Sequence, residues 1–88
     1  MREPKDIYTC RYKYILNREV VLSRHALLRA RKRNILPDVV EATLRNGKIA
    51  RFGKNLVKFR KKHREGSVIC IGEVFGECII IRTICWGN

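Results

Sequence analysis

Eighty-eight residues make one domain, 1–88, with no room for a second core. A hydrophobic content of 45% argues against a disordered chain, and no apolar run approaches the roughly 20 residues of a membrane helix. The formal charge of +12 is concentrated: residues 24–64 hold fourteen Lys/Arg against two acids, residues 1–23 five against three, and residues 65–88 one against three. Crowded cations repel one another and oppose compaction, so this segment points to a polyanionic partner rather than to a merely solvated face. A membrane surface fits poorly, because no helix joins a basic face to exposed Trp or Phe. Met1 to Cys10 lacks the apolar core of a signal peptide, and the expected compartment is the cytoplasm.

In chain order, residues 7–16 alternate, with Tyr8, Cys10, Tyr12 and Tyr14 on one side, and predict an N-terminal strand. Asn17-Arg18-Glu19 suits a turn before the short apolar run Val20-Val21-Leu22. Ser23 is a good N-cap for a helix over 24–34, whose stripe of Ala26, Leu27 and Ala30 must face a core. Beside that stripe, His25, Arg29 and Arg33 line up at i, i+4 and i+8, with Lys32 nearby; Leu28 falls off it and is placed to meet a partner or a second element. Pro37 and Asp38 open a second helix with Val40 and Leu44 on one face, and Asn46-Gly47 stops it.

After Gly47 the period becomes two. Residues 48–52, 55–62, 67–73 and 78–86 read as four hairpin-connected strands, the last apolar on both faces as a central strand should be. The expected fold is α+β, with two N-terminal helices on one face of a four-stranded antiparallel sheet and an extra N-terminal strand. The helix-side face would carry Ala50, Phe52, Val57, Phe59, Val68, Cys70, Ile79, Ile81 and Thr83. The other face would carry Ile49, Arg51, Lys58, Arg60, Ile69, Ile71, Ile80 and Arg82, basic residues over an apolar floor. Cys10, Cys70, Cys78 and Cys85 form no Cys-x-x-Cys pair and are not spaced with His25 and His63 as metal ligands; they read as buried thiols, and no cofactor or metal is implied.

The run Ser23-Arg24-His25-Ala26-Leu27-Leu28-Arg29-Ala30-Arg31-Lys32-Arg33-Asn34-Ile35 resembles the His-Ala-x-x-Arg-x-x-x-Arg-x-Ile helix of an uncharacterised prokaryotic domain family. That family continues with a second helix, like 37–46 here, and then strands, the last ending in a Thr before an aromatic; Thr83 and Trp86 stand near that place with two residues between them. It is similar in turn to the RelE-type ribonuclease toxins of the barnase–EndoU–colicin–RelE superfamily. The resemblance covers 22–86; residues 1–21 depart from it as an extension. It implies helices packed on an antiparallel sheet, RNA cleavage without a metal, messenger RNA or the ribosome as target, and an acidic antitoxin as partner.

Cleaving RNA without metal needs a base for the 2′-OH proton, cations for the charged phosphorane and an acid for the leaving oxygen. His25, Arg29, Arg33 and Thr83 are the candidate catalytic residues; Arg51, Lys58, Arg60, Lys62 and Arg82 are the candidate nucleic-acid-binding ones. His63, in the run Lys61-Lys62-His63-Arg64, reads as a solvated residue. Two other functions fit the same residues: a non-catalytic RNA- or DNA-binding module, and a protein-interaction domain that uses the basic sheet face. Helices over one sheet face would leave His25 able to meet Lys58, Arg60 or Arg82 only around an edge.

Overall fold

The computed structural model describes residues 7–15 and 18–87. Its elements run β1 (Ile7–Ile15), β2 (Arg18–Ser23), α1 (Arg24–Lys32), α2 (Pro37–Asn46), β3 (Lys48–Phe52), β4 (Leu56–His63), β5 (Gly66–Phe75) and β6 (Cys78–Gly87). All six strands join one sheet in the order β1-β2-β6-β5-β4-β3. The sheet is mixed: β3 to β6 are successive antiparallel neighbours, and β2 pairs parallel with β6 through Glu19–Leu22 against Cys78–Ile81.

That architecture is α+β as expected, with four corrections. The sheet is mixed where an antiparallel one was expected, because β2 runs parallel to β6. The strand count among the described residues is six. The helices follow two strands instead of opening the fold. Arg18 and Glu19, expected in a turn, begin β2; the rest of that turn, and the sidedness of Tyr8, Cys10, Tyr12 and Tyr14, lie outside the described residues. A parallel pair needs a long crossover, which α1, α2 and the β3–β5 meander supply. The run Val20-Val21-Leu22 is buried at every position, which is why it is apolar throughout and shows no alternation.

Local chemistry sets the helix limits. The Ser23 side-chain oxygen accepts from the Ala26 N–H at 3.0 Å and caps α1. At the other end Asn34 adopts φ 60°, the Ile35 N–H reaches the Ala30 carbonyl at 2.9 Å and the Asn34 N–H reaches Arg31 at 3.1 Å. That is a Schellman closure, and it tucks Ile35 into the core at 2% exposure. Pro37 opens α2 at its first turn, where a missing N–H costs nothing. Gly47 follows, and it has to be glycine: a Cβ there would lie 2.4 Å from the Thr43 carbonyl oxygen and 2.8 Å from that of Arg60.

Both helices lie on one face of the sheet, α1 over β6 and β2, α2 over β4 and β5. Between them and the sheet lies one core, in which Ala26, Ala30, Ile35, Val40 and Leu44 meet Val57, Phe59, Val68, Cys70, Ile79, Ile81 and Ile84. A fully buried aliphatic or aromatic side chain of this kind stabilises by roughly 1.5–3 kcal/mol.

Two registers differ from the expected ones. Phe52 pairs with Leu56 across a three-residue loop, so Ile49 pairs with Phe59 and Arg51 with Val57. Paired residues share a face, which puts Ile49 and Arg51 on the helix side and Ala50 and Phe52 on the open side, the reverse of the expected arrangement. All five residues of β3 are exposed, so no burial preference in its sequence could have fixed the register. In β6 the ladder shifts between Ile71 and Gly72, which face Thr83 and Ile81, leaving Arg82 as the extra residue of a bulge. Thr83 therefore joins the open face, and Ile84 takes the core position that unbroken alternation would have given it.

Candidate functional site

The structure sorts the candidate residues into two groups on opposite sides of the sheet. On the helix side, the turn spacing of α1 stacks His25, Arg29 and Arg33 on its outer surface beside the buried Ala26–Ala30 stripe. The Arg29 Nε–H donates to His25 Nε2 at 3.0 Å. In that contact Nε2 is the acceptor and the guanidinium the donor. Arg33 is anchored: its Nη1 donates to the Ile84 carbonyl at 2.8 Å, while its own carbonyl accepts from the Trp86 indole N–H at 2.7 Å. The two bonds tie the end of α1 to β6.

Among the described residues, His25, Leu28, Arg29, Lys32 and Arg33 line an open depression of about 330 Å³. Leu28 supplies an apolar wall at 48% exposure. No carboxylate lies within ion-pair distance of Arg29, Lys32 or Arg33 among the described residues; the ion pairs found there are Arg45–Glu41 and Arg82–Glu73. An uncompensated cluster of three cations around one imidazole, with an apolar wall, can hold an anion and offer it a proton-transfer group.

On the open side, the rows Lys58–Ile71–Thr83 and Arg60–Ile69–Cys85 run across β4, β5 and β6. Lys62 continues the basic line along β4. Arg82 is occupied, its Nε 3.1 Å from Glu73 Oε1 and its guanidinium carbon 5.5 Å from the Phe75 ring centroid. Arg51 stands apart from this face, on the helix side of β3. The open face thus keeps Lys58, Arg60 and Lys62 with no carboxylate within ion-pair distance among the described residues, and brings Thr83 next to Ile71 rather than to His25. Since α1 lies over β2 and β6, in the interior of the sheet order, the sheet separates His25 from the open face.

His63 is not a solvated residue. Its Nε2 sits 2.9 Å from Thr43 Oγ1, which itself donates to the Val39 carbonyl at 2.8 Å. The contact ties the end of β4 to α2. Lys32 and Leu28 complete the depression beyond the residues that the sequence singled out as catalytic; both were legible only as neighbours of the stripe. Cys70, Cys78 and Cys85 carry free thiols, and burial, with a smaller contribution from Cys85, pushes the Cys70 thiol up to about 12.

Comparisons with protein families, with curated proteins and with solved structures find no match to this chain. No described helix is long and apolar enough to cross a membrane.

Proposed function

We propose that this protein binds RNA and cleaves it without a metal, in the manner of the RelE-type toxins that its α1 motif resembles. The observation that carries the reading is the depression on α1, where His25 is held by Arg29 in a wall shared with the cations of Lys32 and Arg33. In this reading a phosphate enters the depression and draws the Arg29 fork into a two-oxygen contact. That movement frees His25 Nε2 to take the 2′-OH proton as the 2′-oxygen bonds to phosphorus; Arg29 and Arg33 stabilise the charged phosphorane, and the P–O5′ bond breaks to leave a 2′,3′-cyclic phosphate and a 5′-oxygen that takes its proton from solvent water. Lys58, Arg60 and Lys62 add phosphate contacts on the open face, and Thr83 belongs with them as a contact residue.

Messenger RNA, free or in the ribosome, is the substrate this reading implies, and an acidic antitoxin would be the natural inhibitor. The test is incubation of the purified protein with RNA, with and without ribosomes and in the presence of a chelator, followed by mapping of the ends. Ends carrying 2′,3′-cyclic phosphate or 3′-phosphate support it; intact RNA under every condition overturns it.

A second reading, a non-catalytic RNA- or DNA-binding module, is favoured by one specific feature. His25 Nε2 is already occupied by Arg29, and the Thr83 side of the sheet contributes nothing to that depression. Salt-sensitive retention of RNA without any cut would select it.

A further inference from the structure

At one edge of the sheet, β3 has its outer side open. Beyond the ladder to β4, no hydrogen bond to the backbone of Lys48–Phe52 is found among the described residues. The strand pairs with β4 in an unbroken register over five positions, with neither bulge nor proline to turn the edge away from a visitor. Every residue in it is exposed, including Ile49 at 39% and Phe52 at 40%, which lie on opposite faces of the sheet. An open row of amides and carbonyls flanked by two apolar side chains is the geometry that accepts an added strand.

Charge decides which strand. Residues 48–64 contain eight Lys/Arg and no Asp or Glu, and Lys48 and Arg51 stand on β3 itself. A second copy of β3 laid against the first would bring these cations together, and like charges opposed across a ladder destabilise it. An acidic strand would meet them with opposite charge at the same positions.

We propose that β3 is the docking edge for an acidic, extended segment of another protein, which adds a seventh strand and seats one apolar side chain beside Ile49 on the helix side and another beside Phe52 on the open side. Main-chain bonds to the edge supply the attachment, and Lys48, Arg51 and Lys54 select the sign of the partner. The proposal does not depend on RNA binding, which uses α1 and the open face.

The probe is an eight-residue peptide repeating Glu-Glu-Val-Val, which carries both residue types on each face, added to the whole protein at up to millimolar concentration, with amide hydrogen exchange read residue by residue. Protection and shift changes centred on 48–52 are expected. A matching Lys/Val peptide should leave those amides unchanged. The double variant Lys48→Glu/Arg51→Glu, at exposed positions and checked for folding by its amide spectrum, should weaken the acidic peptide by about tenfold or more and admit the basic one. Three results overturn the proposal: no protection at millimolar peptide, protection confined to 58–62 or α1, or protection of 48–52 without peptide in a dimer seen by sedimentation.

Discussion

Arg29 and His25 sit one helical turn apart, and that spacing makes each the other's nearest polar partner. The bond makes separable predictions for the two residues. If His25 moves a proton, His25→Ala should lower the rate of RNA cleavage by about 10²–10⁴-fold with little change in RNA affinity. Arg29→Ala should weaken both, because the guanidinium would hold phosphate in the ground and transition states. Single-turnover cleavage and filter binding separate the cases; wild-type cleavage by a folded His25→Ala protein makes the histidine structural.

Cys70 carries a different prediction. The unfolded chain gives up the thiol proton near the ordinary value of 9.0, whereas the folded chain keeps it until about 12. Unfolding therefore releases a proton between these limits, so the contribution of Cys70 is complete below pH 9 and is lost as pH rises towards 12. Urea titrations at pH 7, 9 and 10.5 should show wild type losing stability faster with pH than Cys70→Val. Parallel losses would show that the buried thiol does not couple to folding.

At the scale of elements, each helix end depends on one residue. Asn34 occupies a left-handed position, which a β-carbon other than that of Asn or Asp resists. Asn34→Ala should cost about 1 kcal/mol, and Asn34→Gly should be tolerated. Gly47 is constrained by space rather than by φ, since Thr43 and Arg60 offer only backbone oxygens to an added methyl. Gly47→Ala should cost about 1–3 kcal/mol through displacement of α2 from β4. Thermal melting checks both, at roughly 4–8 °C per kcal/mol for a domain of this size. An unchanged melting temperature for Gly47→Ala would mean that the two segments part without cost.

For the molecule as a whole, the candidate phosphate-binding cations divide between two faces that no single rigid contact can cover. Neutralising about five phosphates gives a log–log salt slope near −3.5 for single-stranded RNA. Lys58→Ala/Arg60→Ala should reduce that slope by about 1.4, and Arg29→Ala/Lys32→Ala by the same amount, if the strand touches both faces. Arg82→Ala should change it little, because Glu73 already neutralises Arg82 locally. A slope unchanged by Lys58→Ala/Arg60→Ala, measured by fluorescence anisotropy, confines RNA to the α1 side.

By itself the sequence determined what rests on local periodicity and local chemistry. The two helices, the Ser23 cap, the apolar stripe, the alternating β4 and β5, and the i, i+4, i+8 line of His25, Arg29 and Arg33 all follow from nearest-neighbour geometry. The tertiary structure decided what depends on pairing at a distance. The parallel β2–β6 contact joins segments some sixty residues apart. A three-residue loop moved Arg51 to the helix side, and one bulge at Arg82 moved Thr83 to the open face. Side chains alternate with period two, so a shift of one residue exchanges faces. In β3, which is exposed throughout, no burial preference recorded which way that shift would go.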